Sequence, residues 1–262
     1  MNAPRLLIFD MDGVLVDVTE SYRQTIIETV RHFTGVEITH KEIQAAKNRG
    51  GSNNDWDLSL ELVRERGGAP TREAVIRAFQ RIYLGENPST FAPFGYAQGR
   101  QGGPFGAAQD GERKSNREQQ PNRNNGLIAR ERWLPRDHLL ERLSQRFHFA
   151  LFTGRERWEA QFTLAKFAPG IRFDPIVGME DVQFEKPHPE GLLKIVEQVK
   201  PSELFYIGDV MDDCLAARAA AVPFIGVVAP QNPLAVELES LFRKGGAQAV
   251  VPDINELERV LP

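Results

Sequence analysis

The chain has 262 residues, 41% of them hydrophobic and 26% charged, which suits one large globular domain or two modest ones. A net charge of −4 gives no basis for nucleic acid or an anionic membrane surface as a partner. A single cysteine, Cys214, excludes an intrachain disulfide, and there is no signal-like segment and no apolar run near about 18 residues; the expectation is a cytoplasmic protein without membrane contact.

The first predicted element is Leu6-Leu7-Ile8-Phe9, a short apolar run that ends in Asp10-Met11-Asp12-Gly13. Such a run reads as a strand buried on both faces. In an open α/β sheet, ligands bind beyond the C-terminal ends of these strands, so Asp10 and Asp12 would stand at the mouth of a crevice. Two carboxylates this close resist joint ionisation and call for a cation, a shared proton, or both. A hard ion such as Mg2+ suits oxygen ligands. One carboxylate can then serve as a nucleophile while the other handles protons. The plainer alternative is a polar turn after a strand.

Four helices follow without an intervening strand. The first carries Tyr22, Ile26, Val30 and Phe33 and stops at Gly35. The second opens on the possible capping box Thr39-His40-Lys41-Glu42. A third runs from about Asp55 to Arg66, before Gly67-Gly68, and a fourth from about Thr71 to Gly85. This is a helical unit inserted after the first strand, with no catalytic or metal-ligand spacing of its own. From Ala92 to Gly126 there is no Leu, Ile, Val or Met, and Pro93-Phe94-Gly95-Tyr96-Ala97-Gln98 recurs as Pro104-Phe105-Gly106-Ala107-Ala108-Gln109. Too little apolar surface is present there to offset the entropy of ordering, so a disordered, repeat-like insertion is expected at 86–126, with a charged interaction arm as the alternative.

Order is expected again from Leu127-Ile128, and a helix with Leu139, Leu140 and Leu143 follows Pro135. Strands and helices then alternate, the mark of a parallel sheet. Phe147 to Phe152 is a strand ending in Thr153-Gly154-Arg155, followed by a helix with Trp158, Phe162 and Ala165 on one side. A short strand covers 175–179. Glu185-Lys186-Pro187-His188-Pro189 is a loop before a helix that buries Leu192, Leu193, Val196 and Val199. Leu204 to Ile207 is a strand ending in Gly208-Asp209-Val210-Met211-Asp212-Asp213, and an alanine-rich helix holding Cys214 follows. Phe224–Val228 and Ala249–Val251 are the last strands, with a helix between them from about Pro233. The five histidines show no paired metal spacing.

Polar groups therefore collect after three buried strands, with Lys186 ahead of a helix. In a parallel sheet these strand ends share one edge. A hydroxyl, an ammonium and metal-binding carboxylates are what phosphoryl transfer needs. The set Asp10-Met11-Asp12-Gly13, Thr153-Gly154-Arg155, Lys186-Pro187 and Gly208 to Asp213 resembles, in order, the four motifs of the haloacid dehalogenase superfamily. Residues 17–23 and 126–128 are also similar to a cyanobacterial and plant-type branch of phosphatase-like proteins, some of whose relatives are linked to histidine synthesis.

The resemblance implies an α/β fold: a Rossmann-like parallel sheet core at 1–16 and 139–262, with an inserted α-helical cap at 17–138. It implies Asp10 as nucleophile, forming an aspartyl phosphate, and Asp12 as proton donor and then base, its backbone carbonyl touching Mg2+. Thr153 and the Gly154 amide would hold phosphate oxygens, and Lys186 would bridge nucleophile and phosphate. Asp209 would bind Mg2+ directly, and Asp213 through water or by orienting its ligands. Arg155 would be a substrate contact or a surface arginine. The implied activity is Mg2+-dependent hydrolysis of a small phosphorylated metabolite. A sugar-phosphate mutase using the same residues, or a non-catalytic phosphometabolite binder, are the alternatives. Nothing in the sequence speaks to oligomeric state.

Overall fold

β1 (Arg5–Phe9) runs through the middle of a six-stranded parallel sheet, as its uninterrupted apolar sequence requires. In the computed structural model, which describes residues 3–85 and 126–262, its side chains alternate between two apolar clusters. Leu6 and Ile8 join Ala150, Phe152, Tyr206 and Phe224 on one face. Leu7 and Phe9 join Phe149, Leu151, Phe205 and Ile207 on the other. The two-residue period of a strand makes this division unavoidable.

The chain leaves β1 through a tight turn and enters β2 (Val16–Asp17). A single π-helical turn, Thr19–Arg23, leads into α1 (Gln24–Thr34), which ends on Gly35 in the left-handed conformation. α2 (His40–Arg49) starts on the expected capping box: the Thr39 hydroxyl accepts from the Glu42 amide and the Glu42 carboxylate accepts from the Thr39 amide. Such a cap is worth about 1 kcal/mol. α3 (Asp55–Glu65) and α4 (Arg72–Leu84) are capped by Asn54 and Thr71. The expected disordered insertion at 86–126 lies outside the described residues, save Gly126. Gly126 itself packs on the end of α4, where a Cβ would overlap the backbone of Tyr83, Leu84 and Gly85. The chain thus re-enters beside the point where it left. After a 3-10 turn at Leu127–Arg130, β3 (Arg132–Trp133) pairs antiparallel with β2. These two-residue strands are too short to leave a periodic signal in the sequence.

The remaining elements are α5 (Leu139–Ser144), β4 (His148–Phe152), α6 (Arg157–Phe167), β5 (Ile176–Val177), α7 (Glu190–Val199), β6 (Glu203–Gly208), α8 (Met211–Ala219), β7 (Phe224–Val227), α9 (Ala235–Gly245) and β8 (Ala249–Val251). The sheet order is β5-β4-β1-β6-β7-β8, every pair parallel. The order reverses around β1, so a crevice forms at its C-terminal end.

Two helices are rotated from their expected faces. Ala165 of α6 is exposed, and Trp158 and Phe162 are only partly buried. The inward face of α6 instead carries Glu159, Ala160, Thr163 and Leu164. Counting apolar residues missed it because Glu159 and Thr163 are buried by hydrogen bonding. In α7, Leu193 is 48% exposed, whereas Leu192 and Ile195 face the sheet. Gly191 brings this helix against Phe152, whose ring a Cβ would overlap. No described helix is long and apolar enough to cross a membrane.

Candidate active site

Asp10 stands one residue beyond β1, where its amide still donates to the Ile207 carbonyl at 2.8 Å. The sheet ladder therefore fixes the backbone of this carboxylate. The turn after it depends on Gly13, at φ +77°, where a Cβ would overlap the Asp209 carboxylate. Thr153 follows β4 in the same way, its amide donating to Val177 and its hydroxyl accepting from the Arg155 amide. Asp209 follows β6, and Asp213 lies in the first turn of α8. The four strand-end groups converge on one edge, as the sequence pattern requires.

Lys186 connects them. Its ammonium donates to Asp10 Oδ1 at 2.9 Å, Asp213 Oδ1 at 2.8 Å and the Tyr206 hydroxyl at 3.2 Å. Burial works against this charge, but Asp10 and Asp213 outweigh it and hold the lysine pKa above its usual value. Burial raises Asp10 well above the usual carboxylate range, with Lys186 opposing and Asp213 and Asp209 adding to the rise. Burial likewise pushes Asp209 up to about 7, against Arg23 and with help from Asp213. The Arg23 guanidinium lies 3.9 Å from Asp209.

Three carboxylates, Asp10, Asp209 and Asp213, face Lys186, and Arg23 reaches only Asp209 at 3.9 Å, so negative groups outnumber the cations at the site. Asp10, Asp209 and Asp213 each offer an oxygen, and these oxygens lie within 4.8 Å of one another. An all-oxygen, anionic donor set fits a hard divalent cation. Asp10 and Asp209 have the capacity to ligate it. Asp213 is already saturated: Oδ1 accepts from Lys186 and Tyr206, and Oδ2 accepts from the Asp209 and Val210 amides. It is placed to orient the loop that carries Asp209. The Asp12 carboxylate is not part of this cluster; it faces Arg155.

Arg155 is 2% exposed and is not a surface residue. Its Nε and Nη2 donate to Asp12 Oδ1 at 2.8 and 2.5 Å, Nη2 donates also to Glu131, and Nη1 donates to the Tyr83 hydroxyl and to Thr163. All five of its N–H groups are engaged by protein, so the expected direct substrate contact has no free donor in this geometry. Gly154 and Arg155 line the cavity over the strand ends, whereas Thr153 and Lys186 are buried and are not among its lining residues.

The helical unit closes over this edge. Asp212 accepts from the Gly51 and Ser52 amides, and Asn54 donates to Glu185. Tyr22, Lys47, Asn53 and Trp56 line, from above, a cavity of about 60 Å³ whose floor is Asp10, Asp12 and Gly154. The hydroxyl of Tyr22 donates to Glu159, which burial pushes up to about 7 against the pull of Tyr22 and Arg155. Tyr206, Asp212 and Glu131 were not singled out from sequence. Tyr206 reads as an apolar strand residue, and Glu131 as a solvated charge between arginines. The rotation of α8 decides which of its acidic residues points where.

Gly13→Ala is expected to weaken divalent-cation affinity about 10-fold or more, because it displaces Asp209 in addition to straining a left-handed backbone. Calorimetric titration of the cation checks this; an unchanged affinity contradicts the packing argument.

A family model described as haloacid dehalogenase-like hydrolase matches residues 4–221. An imidazoleglycerol-phosphate dehydratase of Phytophthora nicotianae is 30% identical over 272 aligned positions, spanning 98% of this chain but 52% of that protein. The chain thus spans about half the length of that relative. Phosphoglycolate phosphatase of Escherichia coli (strain K12) is 37% identical over 62 residues, 23% of this chain and 25% of that one. In fold, a phosphatase from Thermococcus thioreducens superimposes with a TM-score of 0.54 at 24% identity, over 91% of this chain and 99% of that one.

Proposed function

The chain belongs to the haloacid dehalogenase-like hydrolases, and from that premise we propose that it is a Mg2+-dependent phosphatase acting on a small phosphate monoester through an aspartyl phosphate on Asp10. The observation that carries this reading is the Asp10–Lys186–Asp213 contact at the end of β1, with Asp209 alongside.

Asp10 is the nucleophile. Lys186 holds Oδ1, which leaves Oδ2 to attack phosphorus as the bond to the leaving oxygen breaks. Asp12 gives its proton to that oxygen. It then takes a proton from the water that attacks the aspartyl phosphate, which frees Asp10 and inorganic phosphate. The Thr153 hydroxyl and the Gly154 amide hold phosphoryl oxygens, and Lys186 offsets their charge. Asp10 and Asp209, with the Asp12 backbone carbonyl, would hold Mg2+, which would neutralise charge at the transferring group. Asp213 orients Asp209 and Lys186. We assign 1–16 and 139–262 to the catalytic core and 17–138 to a cap that excludes bulk water when it closes.

The names of the two curated relatives direct the choice of substrates. Phosphate release is measured on phosphoglycolate, histidinol phosphate, imidazoleglycerol phosphate and a set of sugar phosphates, with Mg2+ and with EDTA. Mg2+-dependent release from at least one ester is expected. Phosphoryl transfer to a second sugar hydroxyl, with no release, contradicts hydrolysis and indicates a mutase. Saturable binding without turnover contradicts an enzyme altogether.

A further inference from the structure

We propose that Arg155 is a positioning residue for Asp12, clamping one oxygen of this carboxylate so that the other is aimed at the leaving group; this rests on reading Asp12 as the acid and base. Both Nε and Nη2 converge on Oδ1. Oδ2 has no protein partner among the described residues, and the Asp12 side chain keeps 27% of its surface exposed, on the cavity side. A carboxylate in a turn beside a glycine has several rotamers within reach, and the clamp selects one. Small misplacements of a reacting group cost about 10²-fold in rate, which is the scale such a clamp can supply.

The clamp is itself held. Glu131, buried to a side-chain exposure of 1%, accepts from Arg155 and from the Tyr83 hydroxyl through Oε1, and from Thr163 through Oε2. Arg155 lies over the Tyr22 ring at 4.8 Å. A buried guanidinium tolerates no unpaired donor, so these five bonds fix its plane, and the plane fixes Asp12. Tyr83 and Tyr22 come from the helical unit, Glu131 from the return segment, and Thr163 from α6. The acid–base carboxylate is thus indexed to the junction between the two parts of the chain.

The test compares leaving groups. An alkyl phosphate needs a proton at the departing oxygen, whereas the phenolate of p-nitrophenyl phosphate does not. For Arg155→Lys, kcat/KM is expected to fall about 10²-fold on the best alkyl ester and less than about threefold on p-nitrophenyl phosphate. The value of kcat falls on both, because hydrolysis of the phosphoenzyme needs Asp12 as base. In an Asp12→Asn background the same substitution adds nothing on the alkyl ester. Tyr83→Phe removes one prop with less risk to folding, and it is expected to show the same pattern at smaller size. Equal losses of kcat/KM on both esters, or additive losses of kcat/KM in the double variant, overturn the positioning role. If Asp12→Asn discriminates between leaving groups while Arg155→Lys and Tyr83→Phe do not, positioning alone fails. If Asp12→Asn itself does not discriminate, the acid–base reading fails and the positioning role with it.

Discussion

Asp10→Asn is expected to abolish turnover, by on the order of 10⁴-fold or more, while leaving the fold intact. The amide is nearly isosteric with the carboxylate but cannot attack phosphorus. Stability should not suffer. Burial disfavours the ionised form of Asp10, with Asp213 and Asp209 adding to that, so a neutral side chain removes a cost as well as an ion pair. Lys186 keeps its bond to Asp213 and its bond from Nζ to the Tyr206 hydroxyl. Thermal unfolding therefore checks the control: a melting temperature not below wild type, together with lost phosphate release, identifies a chemical role. Near-normal turnover would sink the assignment.

Lys186→Met is expected to lower both activity and stability. In the reaction it removes the cation that faces the nucleophile and the phosphoryl oxygens, a loss of about 10²–10³-fold in kcat if it behaves as other charge-stabilising donors do. In the folded chain it leaves Asp10 and Asp213 buried without their counter-charge. Breaking one side of such a pair costs about 3–5 kcal/mol. The loss depends on pH. Asp10, already raised by burial, then loses the Lys186 charge that opposes the rise, and a raised carboxylate stabilises the fold below its unfolded pKa and loses that contribution as pH rises through the folded value. The variant should therefore approach wild-type stability at low pH and fall further below it as pH rises toward neutrality. Urea denaturation across that range measures the difference. A pH-independent deficit would point instead to the lost contacts of the ammonium with the Phe152 and Tyr206 rings.

The fold was readable because its strands are buried on both faces and stand out as apolar runs closed by polar residues. Phe9 followed by Asp10, Phe152 by Thr153, and Gly208 by Asp209 each mark a strand end, and a parallel sheet gathers those ends. What was not readable depends on orientation rather than on residue type. Arg155 follows Thr153-Gly154 and looked free to meet a substrate, but the turn directs it inward to Asp12 and Glu131. Glu159 and Thr163 are polar residues on a buried helix face, which no apolar count detects. Tyr206 sits in an apolar strand and still donates to Asp213 at 2.6 Å. Asp213 illustrates the remaining ambiguity. Its carboxylate both accepts from the Val210 amide at the start of α8 and anchors Lys186, so the structural and chemical readings of that residue are the same fact.

The measurement closest to the central claim is capture of the phosphoenzyme. Wild type, Asp12→Asn and Asp10→Asn are mixed with phosphoryl-labelled p-nitrophenyl phosphate, whose leaving group needs no proton, and Mg2+, quenched in acid within one turnover, and mapped by peptide. The account predicts label on the peptide containing Asp10, accumulating further in Asp12→Asn because water is no longer activated, and none in Asp10→Asn. Phosphate release without label on Asp10, or label on another residue, would contradict it.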